Sequence, residues 1–559
     1  MKSHVRILIY SISIILLIGG CSSENDALDE ALQSITPQDL ASDIQILASD
    51  EFEGRGPATR GEEKTIQFLK EEFEKLGLQP GNGNSYFQEV QLVEITANNI
   101  PRLTVRGKNK TTQYKYADEF VARTKHEKKS VQLDDVDLVF VGYGIVAPEY
   151  GWNDYEGIDV RDKIVITLVN DPGFATKDSM LFNGKALTYY GRHTYKREEA
   201  TRQGAAGAFV IHETSPAGYP WDVLKNSSSG PQFSLASPDG NENRIEVGGW
   251  MAEESARAIF QQAGLDYDTM KEQALKPNFK AQLLGLKASI ALNNTIRHVT
   301  SNNVLAVLPG RERNDEYLVY MAHWDHFGID STLTGDLIYN GALDNATGTA
   351  ALLELAEAFA KLPTYPDRSL LFLAVTAEEH GLLGAKYYAQ NPVYPLNCTV
   401  AVINMDGLNI WGPMRDVTLI GYGNSELDDY VIDVASTQGR TVRPDPKPEK
   451  GYFYRMDQLS FVKQGIPAFS LFSGIDHIQY GEEWVLKQKE DYTTNHYHKT
   501  SDEYDPNWDL SGAVEDLKLL FQVGYRLANE STFPNWREGV EFKAKRDADM
   551  TRKTLNRPE

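Results

Sequence analysis

The chain has 559 residues, 41% hydrophobic and 24% charged, enough to bury a large core and, at about 150 residues per domain, to divide into two to four units. Its formal net charge is -23, from 56 basic and 79 acidic residues. With no long basic run to follow a phosphate backbone, nucleic acid is not an expected partner.

In chain order, Met1 to Arg6 carry the early positive charge and an apolar stretch follows through Gly20, the pattern of a signal peptide over residues 1–20. The stretch contains serines and falls short of the roughly 20 apolar residues that cross a bilayer, so a permanent span is not expected. Leu17-Ile18-Gly19-Gly20-Cys21 resembles the lipobox of bacterial lipoproteins. That resemblance implies cleavage before Cys21, acylation of Cys21 and a protein exported to the bacterial cell envelope, periplasmic or surface-facing, with the membrane as partner. The competing reading is a plain secretory signal in which Cys21 is incidental. With Cys21 lipidated no intrachain disulfide forms, and stability comes from packing. Residues 21–35, opening on the polar Ser22-Ser23-Glu24-Asn25-Asp26, suit a flexible tether.

The glycine-punctuated, charged segment Leu47 to Gly56 reads as a solvated turn. Ile66, Leu69, Phe73 and Leu76 have the spacing of an amphipathic helix over Glu62 to Leu76, stopped by Gly77. From about Asp134 to Lys287 short β-branched runs dominate, among them Val136 to Val141, Lys163 to Val169 and Ala208 to Ile211, which indicates a separate β-rich insert. From Asn302 to about Phe533 strands alternate with helices, the pattern of an α/β unit whose mixed, mostly parallel sheet is sandwiched by helices. The charged stretch after Pro534 is expected to be a surface extension.

Three strand-like runs in this last region end in side chains able to bind a metal. Tyr317 to Ala322 leads into His323-Trp324-Asp325, Leu370 to Thr376 into Ala377-Glu378-Glu379, and Val400 to Met405 into Asp406. In open parallel sheets such ends converge on one crevice. Asp344 precedes a helical run through Phe359 that Pro363 ends, so it is either a capping carboxylate or part of the same crevice. Taken singly, a histidine at a strand end is more often structural and adjacent glutamates a solvated edge. Together, three acidic sites and a histidine in one crevice repel one another by several kcal/mol unless cations neutralise them. Imidazole and carboxylate donors suit zinc.

The motifs His323-Trp324-Asp325-His326, Gly341 to Gly348 around Asp344-Asn345, Glu378-Glu379, Asn404-Met405-Asp406 and Tyr497-His498 together resemble metallopeptidase family 28 of clan MH, the di-zinc aminopeptidases and their glutamate carboxypeptidase relatives. The resemblance implies a zinc exopeptidase fold and two zinc ions per chain. By it Asp344 bridges the ions, His323 and Asp406 complete one site, and Glu379 and His498 complete the other. Asp325 orients His323, Glu378 is the general base that draws a proton from a shared water, and the hydroxyl of Tyr497 helps stabilise the oxyanion. His326 and His496 are the neighbouring histidines that could be mistaken for ligands. The family also implies a cis peptide bond after the bridging aspartate, here Asp344-Asn345.

The insert resembles a protease-associated domain, most closely at Gln203 to Ala208. Its Tyr189-Tyr190-Gly191-Arg192 is read either as a lid element or, in preference, as a buried aromatic pair beside a surface arginine. The expected organisation is therefore signal peptide 1–20, lipidated tether 21–35, N-terminal part of the peptidase domain 36–130, insert 131–290, catalytic domain 291–535 and C-terminal extension 536–559. Peptide substrates attacked at a free N-terminus are expected. Carboxypeptidase or dipeptidase action with an arginine such as Arg192 or Arg455 clamping a carboxylate is the alternative, and a catalytically dead binding protein the third reading. Tyr454 to Gln458 departs from the Ser-Asp-His that many relatives carry there, which leaves side-chain preference open.

Overall fold

The computed structural model describes residues 24–228 and 230–555. The signal segment and Cys21 lie outside the described residues, and among those described no helix is long and apolar enough to cross a membrane.

Four parallel strands form the centre of the main sheet, in the order Arg368–Val375, Arg313–His323, Thr399–Asn404 and Ala468–Ser473. Their sequences are almost unbroken apolar runs because both faces are covered. Leu370, Phe372 and Ala374 join the core on one side, with helices Pro37–Leu47, Thr347–Ala360 and Ser511–Asn529. Leu371, Leu373 and Val375 join the core on the other. Antiparallel strands flank the centre, Gln282–Leu308 at one side and Asp416–Ile420 at the other. The α/β architecture is as expected from the sequence.

Gln282–Leu308 is a single strand of 27 residues that belongs to two sheets. Its first part pairs with Arg102–Arg106 and Ser130–Phe140 in the insert, and its second with Phe87–Ala97 and Arg368–Val375 in the main sheet. The insert has its own core, in which Leu103, Val105, Tyr114 and Phe120 pack with Ile166, Phe209 and Leu292. Its boundary therefore lies before Arg102, not at 131. The short strands Arg102–Arg106 and Thr111–Lys115 alternate apolar with charged residues, and only their pairing reveals where they belong.

Two further expectations are corrected. Glu24–Gln33 is helical, with Ala27 and Ala31 buried and Leu28 and Leu32 against the main core, so most of the stretch expected as tether is part of the folded body. The acidic residues between them hid this i, i+4 stripe. The C-terminal stretch is also docked rather than merely superficial: Trp536 is buried and donates to the Gly465 carbonyl at 2.8 Å. Arg546, likewise buried, donates to the Thr399 and Val400 carbonyls.

Candidate metal centre

His323, Glu378, Glu379 and Asp406 all lie at or just past the carboxyl ends of the central strands, and the turn Ala342–Ala346 brings Asp344 in among them. His323 Nε2 sits 3.3 Å from Asp344 Oδ1 and 3.4 Å from Asp406 Oδ1. Across Asp344, His498 Nε2 lies 3.1 Å from its Oδ2 and 3.2 Å from Glu379 Oε2. One carboxylate is thus shared by two nitrogen–oxygen groups. Asp344 does not cap the helix that follows it, because no side chain accepts at that N-terminus.

The backbone around Asp344 is held from several directions. Asp502 accepts from the Leu343 and Asp344 amides, each at 3.1 Å, and from the Tyr492 hydroxyl. Asn345 accepts from the Gly348 and Gly407 amides and donates to the Met405 carbonyl, tying this turn to the Asp406 loop. The Asp344-Asn345 peptide bond is cis.

Asp325 is fully buried; one carboxylate oxygen accepts from the Glu378 amide at 3.0 Å and stands 3.8 Å from His323 Nδ1. The closer partner of that nitrogen is the Asp325 carbonyl, at 3.1 Å. Glu378 itself has no hydrogen-bond partner for its carboxylate among the described residues. Tyr497 lays its ring on that of His498, with centroids 3.8 Å apart.

Of the two histidines that could be mistaken for ligands, His496 turns away to the Ser501 carbonyl. His326 does belong to the cluster: its Nδ1 is 2.6 Å from Glu379 Oε1, and it joins Asp344 and Glu379 in a group of metal-binding geometry, as His323 does with Asp344 and Asp406. His498 touches both carboxylates, whereas the hydrogen bond of His326 is to the other Glu379 oxygen.

Charge in this crevice is strongly perturbed. Burial opposes ionisation of Asp344, but His323 and His498 outweigh it and hold its pKa well below the carboxylate range. Burial, with Glu379 and Asp457 adding repulsion, pushes Glu378 well above the usual range. His498, despite burial, is raised to about 9 by Glu379 and Asp344. His323 Nε2 is buried and makes no hydrogen bond although carboxylate oxygens surround it. Three carboxylates and two imidazoles facing common points form a donor set that fits divalent ions of the zinc type.

The segment Leu47 to Gly56, expected to be a solvated turn, supports this crevice. The fully buried Arg55 donates to the carbonyls of Leu47, Trp324, Asn340 and Gly341, and so braces the loops of both His323 and Asp344. Gly54, with φ of 65°, passes so close to the Gly328 and Tyr339 carbonyls that a Cβ would stand 2.5 and 2.6 Å from them. The pairing of that glycine with an arginine was the available signal. Arg192 also differs from expectation: it lies half-buried in a cleft with Arg455, while Tyr189 packs near Tyr454 and Phe542 across the domain junction.

Comparison with known proteins bears on the same region. Residues 303–522 match the family described as Peptidase family M28. Aminopeptidase NAALADL1 of Mus musculus is 32% identical over 127 residues, 22% of this chain and 16% of that protein. Leupeptin-inactivating enzyme 1 of Streptomyces exfoliatus is 30% identical over 179 residues, 32% of this chain and 37% of its own. The chain thus spans well under half the length of these relatives. An aminopeptidase from Aneurinibacillus sp. strain AM-1 superposes with a TM-score of 0.51 at 18% identity, covering 90% of this chain and 97% of that one, which establishes the shared fold. Residues 303–522, which include every strand end that carries the clustered histidines and carboxylates, are the part of the chain that resembles peptidase family M28.

Proposed function

We propose that the protein is a zinc-dependent aminopeptidase with two metal ions per chain, hydrolysing peptides from a free N-terminus. The observation that carries this reading is the shared carboxylate of Asp344, flanked on one side by His323 and Asp406 and on the other by Glu379 and His498. Those five side chains would hold the ions, with His326 positioning Glu379. Two divalent ions so placed supply Lewis acidity and bring the pKa of a shared water towards neutrality.

The residues of the chain do the rest. Glu378, its carboxylate without a hydrogen-bond partner among the described residues and its amide held to Asp325, takes the proton from the attacking water on its carboxylate and returns it to the departing amine. Such a two-way role requires a carboxyl pKa raised towards the working pH, the direction that burial gives Glu378. Asp325 fixes both the Glu378 backbone and the His323 ring. Tyr497, stacked on His498, offers its hydroxyl to the developing oxyanion.

The test compares an aminoacyl chromogenic substrate with its N-acetylated form, before and after chelation and again after zinc is restored. Cleavage of the free amine alone, lost and regained with zinc, is expected. Cleavage confined to the blocked form removes the aminopeptidase assignment. The lipobox-like Leu17 to Cys21 further supports export and acylation at Cys21, which radiolabelled palmitate incorporation into the wild type but not into Cys21→Ser would report.

A further inference from the structure

The stretch that resembles family M28 begins at residue 303, yet the loops of the metal centre are held from a turn much earlier in the chain, Asp50–Arg55. Within it Glu53, Gly54 and Arg55 all take left-handed φ, at 51°, 65° and 51°. Glycine adopts that conformation freely, whereas glutamate and arginine do so only where the surroundings hold them there. A strained backbone at a fully buried arginine marks a place where position is enforced.

The Arg55 side chain is directed entirely at backbone carbonyls. Its Nε donates to Trp324 at 2.9 Å, one terminal nitrogen to Leu47 at 2.7 Å and Asn340 at 2.6 Å, and the other to Gly341 at 2.7 Å. Trp324 follows His323, and Gly341 opens the turn that carries Asp344. The Arg55 backbone reaches a third loop, because its carbonyl accepts from the amide of His326, whose ring meets Glu379. Asn340 ties the two segments from the other side, donating to the Ala48 carbonyl at 2.7 Å and to the Asp50 carboxylate at 2.9 Å. One residue thus touches the loops of both halves of the crevice.

An arginine stays protonated and cannot ligate a metal, so its part in the centre is geometric. Its planar fork spans several acceptors at once, which the single point charge of a lysine cannot do. Burial lowers the Arg55 pKa to about 10 against the opposing effect of Asp502, Asp325, Asp344 and Glu379, so a fixed positive charge lies beneath the acidic crevice.

We propose that Arg55 is a positioning residue for the metal centre, holding the His323, His326 and Asp344 loops at the spacing two ions require, so that zinc binding and the docking of residues 48–56 stabilise each other. The inference rests on the two-metal reading above. Such coupling is reciprocal: whatever the docked turn adds to zinc affinity, bound zinc returns to the docking of the turn.

Zinc affinity of the full chain is measured by competition with a chromogenic chelator for wild type, Arg55→Lys, Arg55→Met and Arg546→Met. The last removes another buried arginine that donates to carbonyls, those of Thr399 and Val400 at the far end of the strand leading to Asp406. Arg55→Met is expected to weaken zinc binding by about 10- to 100-fold, with Arg55→Lys recovering part of the loss. Arg546→Met should stay within about threefold of wild type, having no partner in common with the crevice. Hydrogen exchange on the wild type gives a readout that needs no variant: adding zinc to the metal-free chain should slow exchange at residues 48–58 by about fivefold or more beyond any slowing at residues 543–555. This measurement decides the matter if the methionine variants do not fold. Wild-type zinc affinity in Arg55→Met, a loss equalled by Arg546→Met, or exchange at 48–58 indifferent to zinc overturns the proposal and leaves the aminopeptidase reading intact. A wild-type chain that binds no zinc overturns both.

Discussion

The crevice at the strand ends and the cleft at the domain junction both crowd ionisable groups together, yet they do so in opposite ways. In the crevice, histidine nitrogens alternate with carboxylate oxygens at 3.1 to 3.4 Å, and the backbone beneath is pinned by Asp502, Asn345 and Arg55. In the cleft Arg192 of the insert lies with Arg455 of the catalytic domain, and the buried Nε of Arg192 makes no hydrogen bond. Short side chains on strand ends hold reacting atoms in place, whereas long cations on a neighbouring domain can attract and orient a substrate of variable shape.

Substitutions can break that contrast at graded cost. The largest effect is expected from Asp344→Ala, which removes the carboxylate common to both halves of the crevice; purified protein should lose zinc at both positions by metal analysis and retain less than about one thousandth of its activity. Glu378→Gln should keep zinc and fold but lower kcat by roughly 100-fold or more, and unchanged turnover would take Glu378 out of the scheme. The two histidines near Glu379 sharpen the picture further. His498→Ala should lose about one of two zinc ions, whereas His326→Ala should keep both with affinity reduced about 10-fold, and the reverse pattern would make His326 the ligand.

The smallest effect lies far from both sites. Burial and the neighbouring Glu72 raise Asp43 to about 7, and burial with Asp43 raises Glu354 to about 8. The folded chain therefore binds more protons there than the unfolded chain between about pH 4 and 8, and this contribution to stability falls as pH rises through that window. Asp43→Asn should raise the melting temperature at pH 8 but not at pH 4, by an equivalent of about 1 to 2 kcal/mol once screening of this partly exposed group is allowed for. A shift of equal size at both pH values would contradict this.

The main sheet and the side chains clustered at its strand ends were legible from sequence because apolar runs such as Leu370 to Val375 announce strands buried on both faces, and a polar residue at the end of each stands out. The docked N-terminal helix and the early insert strands were not, since Ala27, Ala31, Leu103 and Val105 are isolated apolar residues whose meaning lies in partners far along the chain. Arg55 escaped notice for a related reason: a charged residue beside glycines reads as solvated until its acceptors, backbone carbonyls at Asn340 and Gly341, are brought round by the fold. Trp536 and Phe542, diluted among charges, were hidden in the same way.

The strand Gln282–Leu308 passes without interruption from one sheet into the other. A strand held on one side or the other along nearly all of its length behaves as a beam rather than a joint, so the seating of the insert against the catalytic domain is set when the protein folds.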